Sequence, residues 1–195
     1  MKGETITVNT GSVIYSPFST NGEVFVIKLG YVIAYTYENN GKQRIHLIYG
    51  PGSYFPVITT FKNTEQRASY ESITQVVAVK YRRRDFLKEL KTSRDFSNQI
   101  LEKTVEQLSI FADIVVNLQV TKLEDKLLNR LKNLAKAHGI ADKVIVTLPY
   151  KLKHHHLSDM LGAERESVSR ALNILKKKRL IAVNARGFIT ISIKA

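Results

Sequence analysis

Cysteine is absent from this 195-residue chain. That absence excludes disulfides, thiolate nucleophiles, iron–sulfur clusters and Cys-ligated zinc together. Histidine is scarce: His46 is the only one before His138. A metal oxygenase or isomerase built on a β-roll needs clustered His and carboxylate ligands, and a haem sensor needs axial ones. A lone strand histidine supplies neither, so no enzyme, metal or cofactor is expected. No apolar run approaches the roughly 18 residues of a membrane span. The opening Met1-Lys2-Gly3-Glu4 leads into alternating polar and apolar residues and not into a signal-peptide core. These features predict a soluble, cytoplasmic protein without a membrane partner. Acidic side chains are also in deficit, 17 against 30 Lys and Arg, for a formal charge of +13. Such an excess favours a polyanionic partner.

The apolar content of 44% is enough for a real core. Residues 1–120 are nearly balanced in charge, with 14 basic and 11 acidic side chains, whereas residues 121–195 hold 16 basic and 6 acidic ones. This asymmetry points to a basic binding module joined to a near-neutral one.

Seven of the ten glycines fall in the first 52 residues. Short β-branched and aromatic runs lie between them: Thr5 to Val8, Ser12 to Tyr15, Val24 to Lys28, Tyr31 to Tyr37 and Arg44 to Tyr49. Arg67 to Ile73 and Val76 to Tyr81 follow. Short strands at close turn spacing predict an antiparallel sandwich or barrel, with Asn40-Gly41 as the best hairpin signal. From Asp85 to Lys122 there is no Gly or Pro. Leu101, Leu108 and Val115 recur every seven residues, Phe111 and Leu118 fill the next heptad position, and Ile100, Val105 and Ile114 widen the stripe. A long helix with so broad a stripe buries it on its own sheet or on a second copy. The breadth favours a homodimer through Leu101, Leu108, Phe111, Val115 and Leu118.

Another helix is expected from Leu123 to His138, with Leu127, Leu128, Leu131 and Leu134 inward and Lys126, Arg130, Lys132 and Lys136 outward. Gly139 is its expected C-cap, and Val144 to Leu148 reads as a short strand. The most informative stretch follows. A short helix from His155 to Leu161, a Gly162-Ala163 turn and a longer helix from Glu164 to Lys178 make a helix-turn-helix arrangement. Val168, Ala171, Leu172 and Leu175 share one face at helical spacing. The opposite face carries Arg165, Glu166, Ser169, Arg170 and Asn173. Arg bonds guanine O6 and N7 together, and Glu accepts from cytosine N4. The run Lys176-Lys177-Lys178-Arg179 suits nearby phosphates. Leu180 to Val183, a turn at Asn184–Gly187 and Phe188 to Ile193 read as a hairpin wing. His154-His155-His156 lacks the i, i+4 spacing that puts two metal ligands on one helix face.

The segment Leu161-Gly162-Ala163-Glu164-Arg165-Glu166-Ser167-Val168-Ser169-Arg170-Ala171-Leu172 resembles the recognition segment of the cyclic-AMP receptor/FNR family of transcription regulators. Leu131 to Lys136 resembles that family's helix after the hinge, and Leu180-Ile181 its Leu-Ile before the wing. The resemblance covers nearly the full chain and is strongest in the last third. It implies an α+β fold: an antiparallel β-roll (jelly roll) sensor over 1–84, a long dimerisation helix and hinge over 85–122, and a winged helix-turn-helix over 123–195. It implies base reading by Arg165, Glu166 and Arg170, with Ser169 a lesser candidate. Lys153, His154, Ser167, Lys176, Lys177 and Arg186 are the expected DNA-backbone contacts. The implied partners are double-stranded DNA, a second copy of the chain and RNA polymerase.

Two departures stand out. The family places Thr or Ser at the start of the first helix of the motif, with an acidic residue or Gln three positions on. Lys153 and His156 stand there, so a capping box is expected to be missing. The cyclic-nucleotide cassette is also eroded. Arg67 is retained, but the Gly-Glu pair reads Pro56-Val57 and the closing pair is inverted as Ala68-Ser69. The adenine-side Thr-Ser pair reads Phe111-Ala112. Losing several polar partners from a buried ligand site costs several kcal/mol in order of magnitude. Cyclic AMP is therefore not the expected effector, and Arg67, Ser69, Tyr54 and Phe55 remain the candidates for an effector pocket. Alternatives are a cyclic-nucleotide-responsive regulator and a signalling or scaffold dimer whose winged domain binds protein or RNA.

Overall fold

The computed structural model describes residues 3–19, 22–62, 64, 67–117, 119–142 and 144–192. The chain divides into two compact units, Met1–Gln107 and Leu108–Ala195, and the boundary falls inside a helix.

The first unit is built on two four-stranded antiparallel sheets. Its strands are β1 (Glu4–Val8), β2 (Val13–Tyr15), β3 (Glu23–Leu29), β4 (Val32–Tyr37), β5 (Gln43–Tyr49), β6 (Tyr54–Phe55), β7 (Ser69–Ser72) and β8 (Val76–Arg82). The sheets have orders β1-β8-β3-β6 and β2-β7-β4-β5, so the chain crosses repeatedly from one to the other. This is the jelly-roll arrangement expected of alternating short strands. Side chains from both inner faces meet in an aromatic stack. Phe55 lies parallel to Phe25 and to Tyr70, with ring centroids 5.3 and 4.6 Å apart.

Two turns show how the sequence sets the roll. Gly30, between β3 and β4, has φ +89°, and a Cβ there would lie 2.1 Å from the carbonyl oxygen of Gln75. Only glycine fits. Asn40-Gly41 does make the β4–β5 hairpin, but among the two only Gly41 has positive φ. Glu38 N–H donates to Lys42 O, which leaves a three-residue loop ending in a left-handed glycine and not a two-residue type I′ turn.

The uninterrupted helix expected from Asp85 is two helices, α2 (Arg83–Thr92) and α3 (Arg94–Asn117), preceded by the short α1 (Val57–Phe61). Ser93 is extended, at φ −115° and ψ 110°. Its Oγ accepts the N–H of Phe96, as an N-cap serine does. Absence of Gly and Pro permits continuity; a serine able to cap the next turn ends it. Phe86 of α2 and Ile100 of α3 join Val24, Val26 and Tyr54 in one buried cluster. Ile100 therefore belongs to the roll's core and does not widen the outer stripe.

In the second unit α4 (Leu123–His138) buries Leu127, Leu131 and Leu134. Arg130, expected outward, is buried as well, at 7% exposure. It lies beside the leucine stripe, and burial lowers its pKa to about 10 despite the nearby Tyr150 hydroxyl. Gly139 caps α4 with an extended backbone; a Cβ would lie 2.0 Å from Val146 Cγ1, so the requirement is room and not positive φ. The strand expected near Val144 is β10 (Ile145–Thr147), and β9 (Ile140–Asp142) precedes it. With β11 (Ile181–Val183) and β12 (Ile189–Ser192) they form a sheet of order β11-β12-β10-β9. The helices α5 (His154–Leu161) and α6 (Arg165–Lys177) pack on each other, and α6 packs on α4.

Candidate nucleic-acid interface

The stripe on α6 decides which way its polar residues face. Val168, Ala171, Leu172 and Leu175 are all buried. At 100° per residue this puts Glu166, Arg170 and Asn173 on the outer face; these three are exposed, and so is Arg165, which lies beside the stripe as the first residue of the helix. Ser167 and Ser169 are half-buried at the margins of that face. The sharp turn before α6 is set by Gly162, whose φ of +66° is the left-handed conformation that closes α5.

Ser167 has a definite partner. Arg170 Nη2 donates to Ser167 Oγ at 3.1 Å, one turn away on the same helix. The bond holds the guanidinium along the exposed face. The basic end of α6 is equally defined. Lys176, Lys177, Lys178 and Arg179 are exposed, and the chain reverses through Arg179, which has φ +57°. Leu180 N–H then reaches back to Leu175 O, closing the helix in the manner usually given to glycine. No sequence signal marks that reversal, because arginine carries a Cβ penalty there.

The wing follows. Asn184 organises the β11–β12 turn: its Oδ1 accepts from the N–H groups of Arg186 and Phe188, both at 3.0 Å. Arg186 is exposed at the tip. Ile193, expected in the second wing strand, lies outside the described residues.

Lys153 and His154 are exposed at the start of α5. The missing capping box is corrected in part. His156 Nδ1 accepts the backbone N–H of Lys153 at 3.2 Å, so the imidazole replaces the carboxylate or amide expected three positions on. The other half, a Ser or Thr oxygen at the cap, is not available from lysine. Burial, then the neighbouring His155 and Lys153, pushes the His156 pKa down to about 4. His155 is lowered too, first by burial; Asp159 opposes the shift, and Arg165 and Lys153 add to it. Among the described residues no three His, Asp or Glu side chains gather as a metal site requires.

The effector candidates are placed differently from one another. Tyr54 and Phe55 are neighbours on a strand and point to opposite sides, each fully buried. Tyr54 bonds Thr104 Oγ1 at 2.9 Å and packs on Phe86; Phe55 lies in the aromatic stack. Both are core side chains. Ser69 is buried against Tyr35, whereas Arg67 is exposed. The structure does not bring the four together.

On α3, Leu101, Leu108, Phe111 and Val115 are exposed, together with Val105 and Val116. Leu118 lies outside the described residues. Among the described residues no helix is long and apolar enough to cross a membrane.

Comparison with known proteins agrees with this arrangement. A CRP-like cAMP-activated global transcriptional regulator of Mycobacterium tuberculosis is 22% identical over 162 residues, covering 83% of this chain and 72% of the relative. A cyclic nucleotide-binding domain containing protein from Listeria monocytogenes superposes with a TM-score of 0.82 at 16% identity, over 98% of this chain and 89% of the other. A CRP/FNR-family transcriptional regulator from Thermus thermophilus does so with a TM-score of 0.73 at 19% identity, over 98% and 95%. The family model for the cyclic nucleotide-binding domain matches residues 5–93, and the one for the Crp-like helix-turn-helix domain matches residues 125–194. With a roll that matches the cyclic nucleotide-binding domain followed by a Crp-like helix-turn-helix domain, the chain belongs to the CRP/FNR family of transcription regulators.

Proposed function

We propose that the chain works as a homodimer that reads two half-sites on double-stranded DNA, one α6 in each of two successive major grooves, without control by cyclic AMP. The observation that carries this reading is the face of α6, where Glu166 and Arg170 stand exposed opposite a fully buried stripe and Arg165 is exposed at the first turn. Arg165, Glu166 and Arg170 are the base-reading groups, with Ser169 beside them. Lys153, His154, Lys176, Lys177 and Arg186 flank that face on α5, on the end of α6 and on the wing tip, as phosphate contacts should. The exposed apolar stripe of α3 supports self-association, since a water-facing row of Leu, Val and Phe gains by burial against its copy.

Independence from cyclic AMP rests on the roll. Pro56-Val57 stands where the family's ribose-binding Gly-Glu belongs, and Tyr54 and Phe55 are core. The reading includes RNA polymerase as a partner and no catalytic step.

Selection of bound duplexes from a random pool tests it. A two-fold symmetric motif with half-site centres about one helical turn, ~34 Å, apart is expected. Enrichment of no sequence, or preference for single-stranded RNA, would overturn the reading.

A further inference from the structure

The roll contains a polar cleft that borders the segment matching the family's nucleotide cassette, with Pro56 of that segment in its wall. It has a volume of about 340 Å³ and is lined by Tyr15, Glu23, Thr59, Thr60 and Arg83, among others. Neither Arg67 nor Ser69 lines it. This size lies at the lower end of small-ligand sites.

Arg83 is fixed by its inner atoms. Its backbone N–H donates to Gly22 O at 2.7 Å, and its Nε donates to the carbonyls of Thr59 and Thr60 at 3.2 and 2.9 Å. Among the described residues the two Nη groups take no hydrogen bond and no ion pair. Thr59 Oγ1 is buried and, among the described residues, has no hydrogen-bond partner. An orphaned buried hydroxyl beside an unpaired guanidinium is costly unless something polar completes it. Glu23 supplies the opposite sign. It shares Lys80 with Glu4, at the longer distance of 3.4 Å against 2.9 Å. The Glu23 charge helps to hold the Tyr15 hydroxyl pKa up. Glu23 opposes Arg82 in the β3–β8 register, so Arg83 is one residue beyond it. Two opposite charges thus line one cleft without pairing with each other.

We propose that this cleft binds a small zwitterion of the amino-acid class, its carboxylate on the Arg83 Nη groups and the Thr59 hydroxyl, its ammonium on Glu23. A plain anion would meet the Glu23 carboxylate, and a plain amine would meet the Arg83 guanidinium. The site bears on α3 through α2. Arg83 begins α2, and Phe86 of that helix packs on Phe96 at 5.2 Å and joins the cluster that holds Ile100. The proposal is independent of how α6 reads DNA.

The test is thermal denaturation and calorimetric titration of the full chain with the common L-amino acids, each tested singly. The matching 2-hydroxy acids, without ammonium, and decarboxylated amines serve as controls. At least one amino acid is expected to raise Tm with concentration while its two controls do not. Thr59→Val is expected to raise the unliganded Tm, because it removes the orphaned hydroxyl, and to weaken binding about tenfold. Glu23→Gln keeps the shape and is expected to abolish the preference for the amino acid over its hydroxy acid. No Tm rise with any amino acid at about 100 times a millimolar-or-tighter Kd would overturn the proposal. So would equal binding of the hydroxy acids, or unchanged affinity in both variants.

Discussion

Arg170 and Ser167 form a pair within one helix turn, joined at 3.1 Å. A guanidinium already oriented loses less side-chain entropy when it meets a base. Arg170→Ala is expected to cost about 1–3 kcal/mol of binding and to relax preference at one base pair per half-site. Ser167→Ala should move the same base pair in the same direction by less. Competition gel shifts on duplexes randomised at single positions check both; equal weakening on every sequence would make Arg170 a phosphate contact. His156 gives the second residue-scale prediction. Its folded pKa, about 4, lies below the ordinary histidine value of 6.5. Below pH 6.5 the unfolded chain therefore takes up a proton that the folded chain refuses. The neutral ring contributes full stability above that value and progressively less as the pH falls towards 4, where Nδ1 can no longer accept from Lys153. Thermal melts from pH 7.5 to 4 should show a steeper loss for the native chain than for His156→Gln, which keeps an acceptor without a proton to gain.

At the scale of elements, α3 and α6 each carry a row of side chains that stays exposed. Leu108 is 67% exposed and Phe111 43%, so a charge there costs the folded protomer little and costs a dimer heavily. Leu108→Asp is expected to shift sedimentation velocity from dimer to monomer without lowering helix content. A variant that stays dimeric would place the self-contact elsewhere. The end of α6 makes the complementary case. Lys177→Ala should weaken binding to all duplexes alike and reduce the slope of log affinity against log salt by about 1. A loss confined to the selected site would mean that Lys177 reads sequence.

For the whole molecule, the roll matches the cyclic nucleotide-binding domain, and the proposed independence from cyclic AMP rests on a few of its side chains. Pro56 and Val57 offer no ribose acceptor, and Tyr54 and Phe55 are spent on the core. Cyclic AMP at millimolar concentration is expected to leave Tm unchanged. A clear rise would show that the eroded cassette still binds.

The sequence by itself determined the alternation of the roll, the apolar stripes of α4 and α6, the placement of the basic charge in the last third and the direction in which Glu166 and Arg170 face. Each follows from a local period: where Val168, Ala171, Leu172 and Leu175 are buried, geometry fixes what is opposite. Only the tertiary structure decided the break at Ser93, the burial of Arg130 and Ile100, the extended backbone of Gly139 and the left-handed Arg179. Ser93 left a legible trace, as a capping residue before Arg94 and Asp95. Arg179 left none because arginine does not mark a left-handed turn, and the others left none because they depend on neighbours in other elements. Gly139 is glycine because of Val146, and Arg130 is hidden beside Tyr150. The cleft of Arg83, Thr59 and Glu23 is of the same kind. Three segments far apart in the chain meet there, and which donors remain unpaired is settled by which carbonyls the fold brings within reach of Arg83.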